Sequence, residues 1–504
     1  MYFSDSQSPV NIAIWEYFVL FLMLAAVGLW HAREKNANIK RYPEYRYYLW
    51  GLYIKMIGAA LFSLTYVYYY ANGDTISYFL SSVPLAKLFW EDPILYAQAL
   101  VMENSVENRS ALFTLRTGYP MSYIYFDSRS YLLVRLISPF TIITFQSYLL
   151  CAVAVSVLAY GGVWRLYRTL VRYYPKLQWQ LAVAVLFLPS SVFWGSGILK
   201  DTFTFTALCW YVYALDRVFM LRQGGFTSWV NMVVASIILL GLKPYIFMTI
   251  FPASLLWVLY QRVANIRNAL VRVMFLPVAM VLLVVGTIIT LESLGDRLSK
   301  FSLDKALDTV VLNQKDMKRS EHYGENFFDL GDIEPTWESV LSKFPQATFA
   351  GLFRPMIVES NNVVMFLAGL ENTFLLLLAL YILYRSRLVF FFTLLLRNPL
   401  LQMCYFFAVG YAFMIAITTP NFGAMVRFKI PLLPFFVAAM FITAHILDRR
   451  RAALAGGGRF DFESFVDGDP DRKTGRPMAR KEHPGGRGAR GMRGPILAAQ
   501  GAMR

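Results

Sequence analysis

A chain of 504 residues that is 57% hydrophobic and only 16% charged is too apolar for a string of water-soluble domains, which average roughly 45–50% apolar and about 25% charged. Its net charge of +16 would suit a nucleic-acid binder, but the basic residues sit at the ends of apolar runs. That placement points to membrane lipids as the partner, and no nucleic acid is expected.

Taken in chain order, the apolar runs predict a polytopic, all-α transmembrane helical bundle. A span needs about 20 apolar residues to cross about 30 Å of hydrocarbon. Runs that meet or approach this lie at 12–31, 47–70, 136–164, 178–199, 202–221, 228–242, 245–261, 270–292, 363–384, 400–418 and 430–447, about eleven spans in all. The pair at 228–261 is short and hinged at Lys243-Pro244, and the apolar segment 389–396 is too short to span and suits an interface. Asn11 to Trp30 is too long for the apolar core of a cleavable signal, and no small-residue cleavage site follows it. Cys151, Cys209 and Cys404 fall inside apolar runs, too far apart for a disulfide framework or a metal site, and read as buried small hydrophobes.

Charge orients the bundle. Arg33, Lys35, Lys40, Arg41 and Arg46 share one side with Arg165, Arg168, Arg172 and Lys176, then Arg217 and Arg222, then Arg262, Arg267 and Arg272. Arg385, Arg387, Arg397 and Arg449 to Arg451 complete that side. An odd span count makes it cytoplasmic, with the N-terminus outside and the C-terminus inside. The transmembrane bundle occupies 1–450, with extracytoplasmic loops at 71–135 and 293–362. The first loop carries amphipathic sequence from Ser81 to Leu100 that suits the membrane surface. The second carries WESVLSKFPQATFAGLF, which reads as a short amphipathic helix. From 451 to 504 the chain is a basic, glycine-rich and disordered cytoplasmic tail.

Five polar segments fall at the outer ends of these spans, where an apolar bundle keeps charge at a cost. YYYANGDTISYF places Asp74 after an Asn-Gly turn, with Tyr78 one helical turn on. The carboxylate either caps the following helix or takes a proton from an attacking hydroxyl. LPSSVFWGSGILKDTF is kinked at Pro189 and ends on Lys200-Asp201, which is either a self-paired turn or a lysine aimed at phosphate. In LLGLKPYIF, Lys243-Pro244 breaks an apolar stretch, as membrane sites often do, though snorkelling of the lysine is the plain alternative. LFRPMIVESNN offers Arg354 as a bidentate phosphate ligand or as the partner of Glu359. TTPNFGAMVRFKIPLLPF gathers Asn421, Arg427 and Lys429 with prolines at a helix mouth, a seat for an anion. Basic residues on the outer face run against the positive-inside trend, which favours anion binding by some of them.

Other chemistries find no support. No GxxxxGK[ST] loop, HExxH or Cys/His cluster occurs. His322, the one outer-loop histidine, reads as solvated. Carboxylates inside spans are few; Glu16 and Glu371 are the candidates, and Glu371 reads as a partner of a neighbouring helix.

GDTISYF resembles the acidic loop motif of GT-C-type integral membrane glycosyltransferases. LPSSVFWGSGILKD, LKPY, FRP…E and NFGAMVRFKIPLLPF together resemble bacterial membrane proteins related to exopolysaccharide and O-antigen polymerases, over roughly residues 60–440. The resemblance implies transfer of a sugar or oligosaccharide from a polyprenyl-(pyro)phosphate donor at the outer face of the cell inner membrane. Asp74 would be the general base or acceptor-orienting acid. Lys200, Lys243, Arg354 and Arg427 would bind the donor phosphate, supported by Tyr78, Asp201, Glu359, Asn421 and Lys429. Asp74 stands alone rather than in a DxD pair, so no metal or other cofactor is expected. The competing readings are a transporter or flippase for an anionic lipid or solute, which needs a second polar cluster deeper in the bundle, and a non-catalytic subunit of a membrane assembly.

Overall fold

Apolar runs removed from water must satisfy their own backbone, and a helix does so within one segment. The computed structural model describes residues 8–263, 303–317 and 326–456, all within the first of the two units into which the chain divides, Met1–Asp467 and Gly468–Arg504. Among the described residues the regular elements are helices, and the one β pairing is an isolated bridge between Phe327 and Asn421. Five helices are long and apolar enough to cross a membrane: Ile14–Asn38, Pro43–Tyr69, Tyr148–Tyr173, Val363–Ser386 and Pro399–Thr418. Phe422–Phe428 and Leu433–Ala455, bent by 66° at a short break, make a sixth if taken together. Phe226–Leu242, Pro244–Tyr260 and Leu388–Arg397 are apolar but shorter. Ile14–Asn38 turns Ile14, Phe18, Phe21 and Leu22 outward, a face costly in water and at ease in hydrocarbon.

Several expected spans are interrupted. The run at 136–164 is two elements, Ser128–Ile143 and Tyr148–Tyr173, because the chain turns between them. Phe145 and Gln146 take φ of 51° and 62°, and Ser147 Oγ accepts the Leu150 N–H at 3.2 Å to start the next helix. Glu16 accepts a hydrogen bond from the Ser147 hydroxyl and another from the Ala13 N–H at 2.9 Å. This buried acid therefore secures helix ends.

The run at 178–199 breaks at Leu188, whose extended backbone is the conformation a residue before proline prefers. A short helix, Pro189–Trp194, follows, with Ser190, Ser191 and Trp194 buried. Glu371 Oε2 accepts the Ser190 N–H at 2.9 Å at its start. Lys55 Nζ donates to Gly195 O at 2.5 Å and Ser191 O at 3.5 Å at its end. An acid at the N-terminus and a base at the C-terminus satisfy orphan backbone groups and match the helix dipole. Gly197 follows, where a Cβ would lie 2.2 Å from the Phe62 ring, so only glycine lets this turn pass so close to the second span.

The break before Leu433 is held in the same way. Lys429, 1% exposed, donates to Leu352 O at 3.2 Å, Arg354 O at 2.9 Å and Asn372 Oδ1 at 3.0 Å. It closes the C-terminal carbonyls of the Phe344–Phe353 helix.

The first long loop packs against the helix that ends it. The Asp74–Glu91 helix buries Ile76, Phe79, Ser82 and Leu85 and packs on Ser128–Ile143. Ser82 Oγ lies 2.7 Å from Thr141 Oγ1, and Tyr96 OH lies 2.9 Å from Ser138 Oγ. The amphipathic stretch near residue 345 forms two helices, Trp337–Ser342 and Phe344–Phe353, because Pro345 sits where a helix begins. All three cysteines are buried and unpaired. The expected span 270–292, Arg267, Arg272, His322 and the tail beyond residue 456 lie outside the described residues.

Candidate functional site

The Pro43–Tyr69 span ends in a π-helical turn, Thr65–Tyr69, and the chain reverses through Ala71 at φ 56° and Gly73 at φ 137°. Only glycine takes the latter value without strain, and a Cβ there would also lie 2.6 Å from the Tyr66 ring. Gly73 therefore caps the Asp74–Glu91 helix, with no side-chain cap bond, and Asp74 stands in the first turn with its carboxylate free to point elsewhere. It meets Arg427, whose Nη1 and Nη2 both donate to Asp74 Oδ2 at 3.2 Å.

Arg427 also reaches Asp201, with Nε 3.3 Å from Oδ2. That approach is within ion-pair range but poorly aimed, and the buried Nε–H keeps no hydrogen-bond acceptor among the described residues. Asp201 Oδ1 accepts from Lys243 Nζ at 2.5 Å. The Lys200–Leu215 helix has no side-chain cap, so Asp201 is neither a cap nor the partner of its neighbour. Lys200 pairs instead with Asp127, at 3.3 Å. Lys243 occupies the break between Phe226–Leu242 and the helix that begins at Pro244, with its ammonium 4.0 Å from the centre of the Phe428 ring. Asp74, Lys200, Asp201, Lys243 and Arg427, from four separate stretches of chain, thus form one cluster.

Exposure divides the cluster. The Asp201 and Lys243 side chains are 2% and 8% exposed, whereas Asp74 is 55% exposed. A carboxylate so deeply buried needs both its cations, while Asp74 is open to a ligand.

Two cavities meet here. One, of about 430 Å³, is lined by Lys200, Lys243, Arg129 and Arg427 against Asp74, Asp127 and Asp201. Four cations against three carboxylates leave an excess positive charge, suited to an anion. The other, of about 570 Å³, is lined by aromatic and amide side chains that include Tyr66, Trp194, Asn362 and Asn421. The two linings share only Asp74, Arg427 and Phe428. Tyr78 lines the first cavity, its ring centre 5.7 Å from Lys200 Nζ. Asn421 caps the Phe422–Phe428 helix by accepting the Ala424 N–H at 3.1 Å and lines the second.

Arg354, Glu359 and Lys429 do not join them. Arg354 forms a side-chain pair with Glu359 and lies over the rings of Phe328 and Phe422, at 5.2 and 5.1 Å. Glu359 also accepts the Met356 N–H at 2.8 Å. The loop closes on itself through this pair, and neither residue lines either cavity. Lys429 is spent on the carbonyls described above.

Asp127 and Arg129 escape the sequence reading. The signal was present: Asp127 in FDSRSYLL stands where a helix cap precedes an apolar run, and it accepts the Ser130 N–H at 3.2 Å and the Ser130 hydroxyl at 2.5 Å. Burial pushes the Asp127 carboxyl up, but the Ser130 hydrogen bonds and the Lys200 ammonium outweigh it and hold the carboxyl below its ordinary range. Among the described residues no group of three or more His, Cys, Asp or Glu side chains comes together to hold a metal ion. No known family model, curated protein or solved structure matches the chain.

Proposed function

We propose that this chain is a membrane glycosyltransferase or polysaccharide polymerase. In this reading it moves a sugar or oligosaccharide from a polyprenyl-(pyro)phosphate donor to a glycan acceptor at the outer face of the inner membrane. The bundle makes about eleven crossings, several through broken or short helices, with the N-terminus outside and the C-terminus inside. The observation that carries this reading is the contiguous array Asp74–Arg427–Asp201–Lys243 at the junction of an electropositive cavity and one whose other described lining residues are aromatic, amide and apolar.

The chemistry follows from what each group can do. The donor phosphate enters the cavity of Lys200 and Lys243 and takes the Arg427 donors, including the unsatisfied Nε–H. Arg427 thereby loosens its hold on Asp74. The acceptor hydroxyl attacks the anomeric carbon and gives its proton to Asp74. As the new glycosidic C–O bond forms, the old bond from carbon to phosphate oxygen breaks. The phosphate leaves with the electron pair, and the cations stabilise the developing charge. Asp201 takes no part in proton transfer: it is enclosed, and it fixes Arg427 and Lys243 as a rigid pair of donors.

The interior polar groups favour transfer over transport. Among the described residues, Lys55, Lys429 and Glu371 are engaged with backbone at helix ends, and the buried Asp216 is committed to Arg172 and Tyr173. Deleting the chain from its native cell and quantifying cell-surface polysaccharide tests the proposal. Loss or shortening of one polymer with accumulation of its lipid-linked precursor is expected, and an unchanged glycan and precursor profile contradicts it.

A further inference from the structure

The cavity of about 570 Å³ has a lining that the phosphate chemistry does not use. Among the described residues its only charged ones are Asp74 and Arg427, which it shares with the electropositive cavity. The remainder is aromatic, amide and small apolar. Tyr66 and Tyr70 stand with ring centres 5.1 Å apart, and Trp194 lines the same space. Asn362 and Asn421 each spend Oδ1 on a helix cap, accepting the Met365 N–H at 2.9 Å and the Ala424 N–H at 3.1 Å. Their Nδ2 groups hold no partner that the described residues supply, so each offers two N–H donors to a ligand. Asn326 accepts from Asn361 Nδ2 at 2.6 Å and adds a third amide to the wall.

Rings that bury C–H faces beside fixed amides bind neutral polyhydroxyl ligands well, because each hydroxyl needs a partner and no charge has to be desolvated. The two cavities meet at Asp74, the carboxylate proposed to accept the proton, and at its neighbours Arg427 and Phe428. A displacement at carbon brings the nucleophile from the side opposite the leaving group, so the phosphate cavity leaves the other one for the attacking sugar.

We propose that the Trp194-lined cavity is the acceptor subsite, taking the terminal residues of a neutral glycan and aiming one hydroxyl at Asp74. This rests on the transferase reading, and it adds that donor phosphate and acceptor occupy separate cavities with opposite lining chemistry. Asp201 and Lys243 serve the first, and Tyr66, Trp194, Asn362 and Asn421 serve the second.

The test uses the full chain in nanodiscs and two probes. The first is a panel of neutral methyl glycosides and disaccharides at millimolar concentration, read by tryptophan emission. The chain has 11 tryptophans, so the difference between the wild type and Trp194→Phe isolates the one in the cavity. The second probe is polyprenyl monophosphate. At least one sugar is expected to change the Trp194-dependent emission. N362D and N421D keep the cap oxygen and remove the amide donors, so each should weaken that sugar about tenfold, the worth of roughly one hydrogen bond. Lys200→Gln should leave sugar binding unchanged and weaken polyprenyl monophosphate. If the lipid phosphate binds through Lys200 while no sugar reaches Trp194, the acceptor subsite is refuted and the transferase reading stands. If sugar and lipid phosphate exclude each other, or both are weakened by Lys200→Gln, the division into two cavities is refuted. If neither probe binds, both proposals fall.

Discussion

Arg427 donates from both terminal nitrogens to one oxygen of Asp74, each at 3.2 Å, across 353 positions of sequence. The contact joins the start of the Asp74–Glu91 helix to the end of the short Phe422–Phe428 helix. It can form only because the chain breaks on both sides of it, at Gly73 and at the 66° bend after Phe428. Behind it, Asp201 holds Arg427 and Lys243 together in a nearly closed setting.

That buried triad sets the first prediction. Asp201→Asn leaves Lys243 and Arg427 as two enclosed like charges, and breaking a buried pair typically costs about 3–5 kcal/mol. The variant should melt well below the wild type in detergent, and adding Lys243→Met should restore part of the loss. Equal melting temperatures for Asp201→Asn and wild type would show that the triad is not a folding element.

The lysines divide by task. Lys55→Met and Lys429→Met leave buried carbonyls at helix ends without donors, at about 1–3 kcal/mol for each unsatisfied group. Both should lower the melting temperature. Lys200 lies in a partly open pair with Asp127, worth about 0–1 kcal/mol at most sites of that kind. Lys200→Gln should therefore leave melting nearly unchanged while weakening lipid phosphate. A reversed order, with Lys200 dominating stability, would overturn this assignment.

Arg354 separates structure from binding. Its pairing with Glu359 and stacking between Phe328 and Phe422 make it a clamp for its loop. Arg354→Ala is expected to lower thermal stability and to leave the affinity for polyprenyl monophosphate within about twofold of the wild type, a difference of about 0.4 kcal/mol. A loss of affinity like that of Lys200→Gln would place Arg354 back among the phosphate ligands.

Asp127 carries a pH dependence with a definite sign. Its carboxyl is depressed in the folded protein by Ser130 and Lys200 against the effect of burial. The stability it adds is therefore complete above the unfolded carboxyl value, about pH 4, and disappears as pH falls through the lower folded value. Melting scans from pH 6 downward should show Asp127→Asn losing less stability than the wild type in the most acidic range. Parallel curves would contradict the link.

Much of this site is legible in the sequence, for a physical reason: charge beside a Pro or Gly at the mouth of an apolar run is expensive and visible. Asp74, Lys200, Asp201, Lys243 and Arg427 all carry that mark, and they converge. Arg354 and Lys429 carry it too and do not converge, because a helix broken in an apolar setting also needs charge to satisfy its own carbonyls. Local sequence cannot separate these two uses. Asp127 carries in sequence only the mark of an ordinary helix cap, which it also is, and nothing nearby announces its pairing with Lys200. The turn at Phe145 and Gln146 was hidden because the few polar residues there, Thr144, Gln146 and Ser147, are uncharged and include no Gly or Pro. At Leu188-Pro189 the proline announced a kink, and the chain there breaks outright into a separate short helix.

The most direct measurement substitutes Asp74 by Asn and quantifies cell-surface polysaccharide in cells whose only copy is the variant, alongside the amount of folded protein in the membrane. Asp74 is open and caps nothing, so the folded amount should match the wild type. Removing a general base typically costs about 10²–10⁴-fold in rate, so the polymer should fall to near the level of the deletion while its lipid-linked precursor accumulates. Normal polymer from a normally inserted Asp74→Asn protein would contradict the account at its centre.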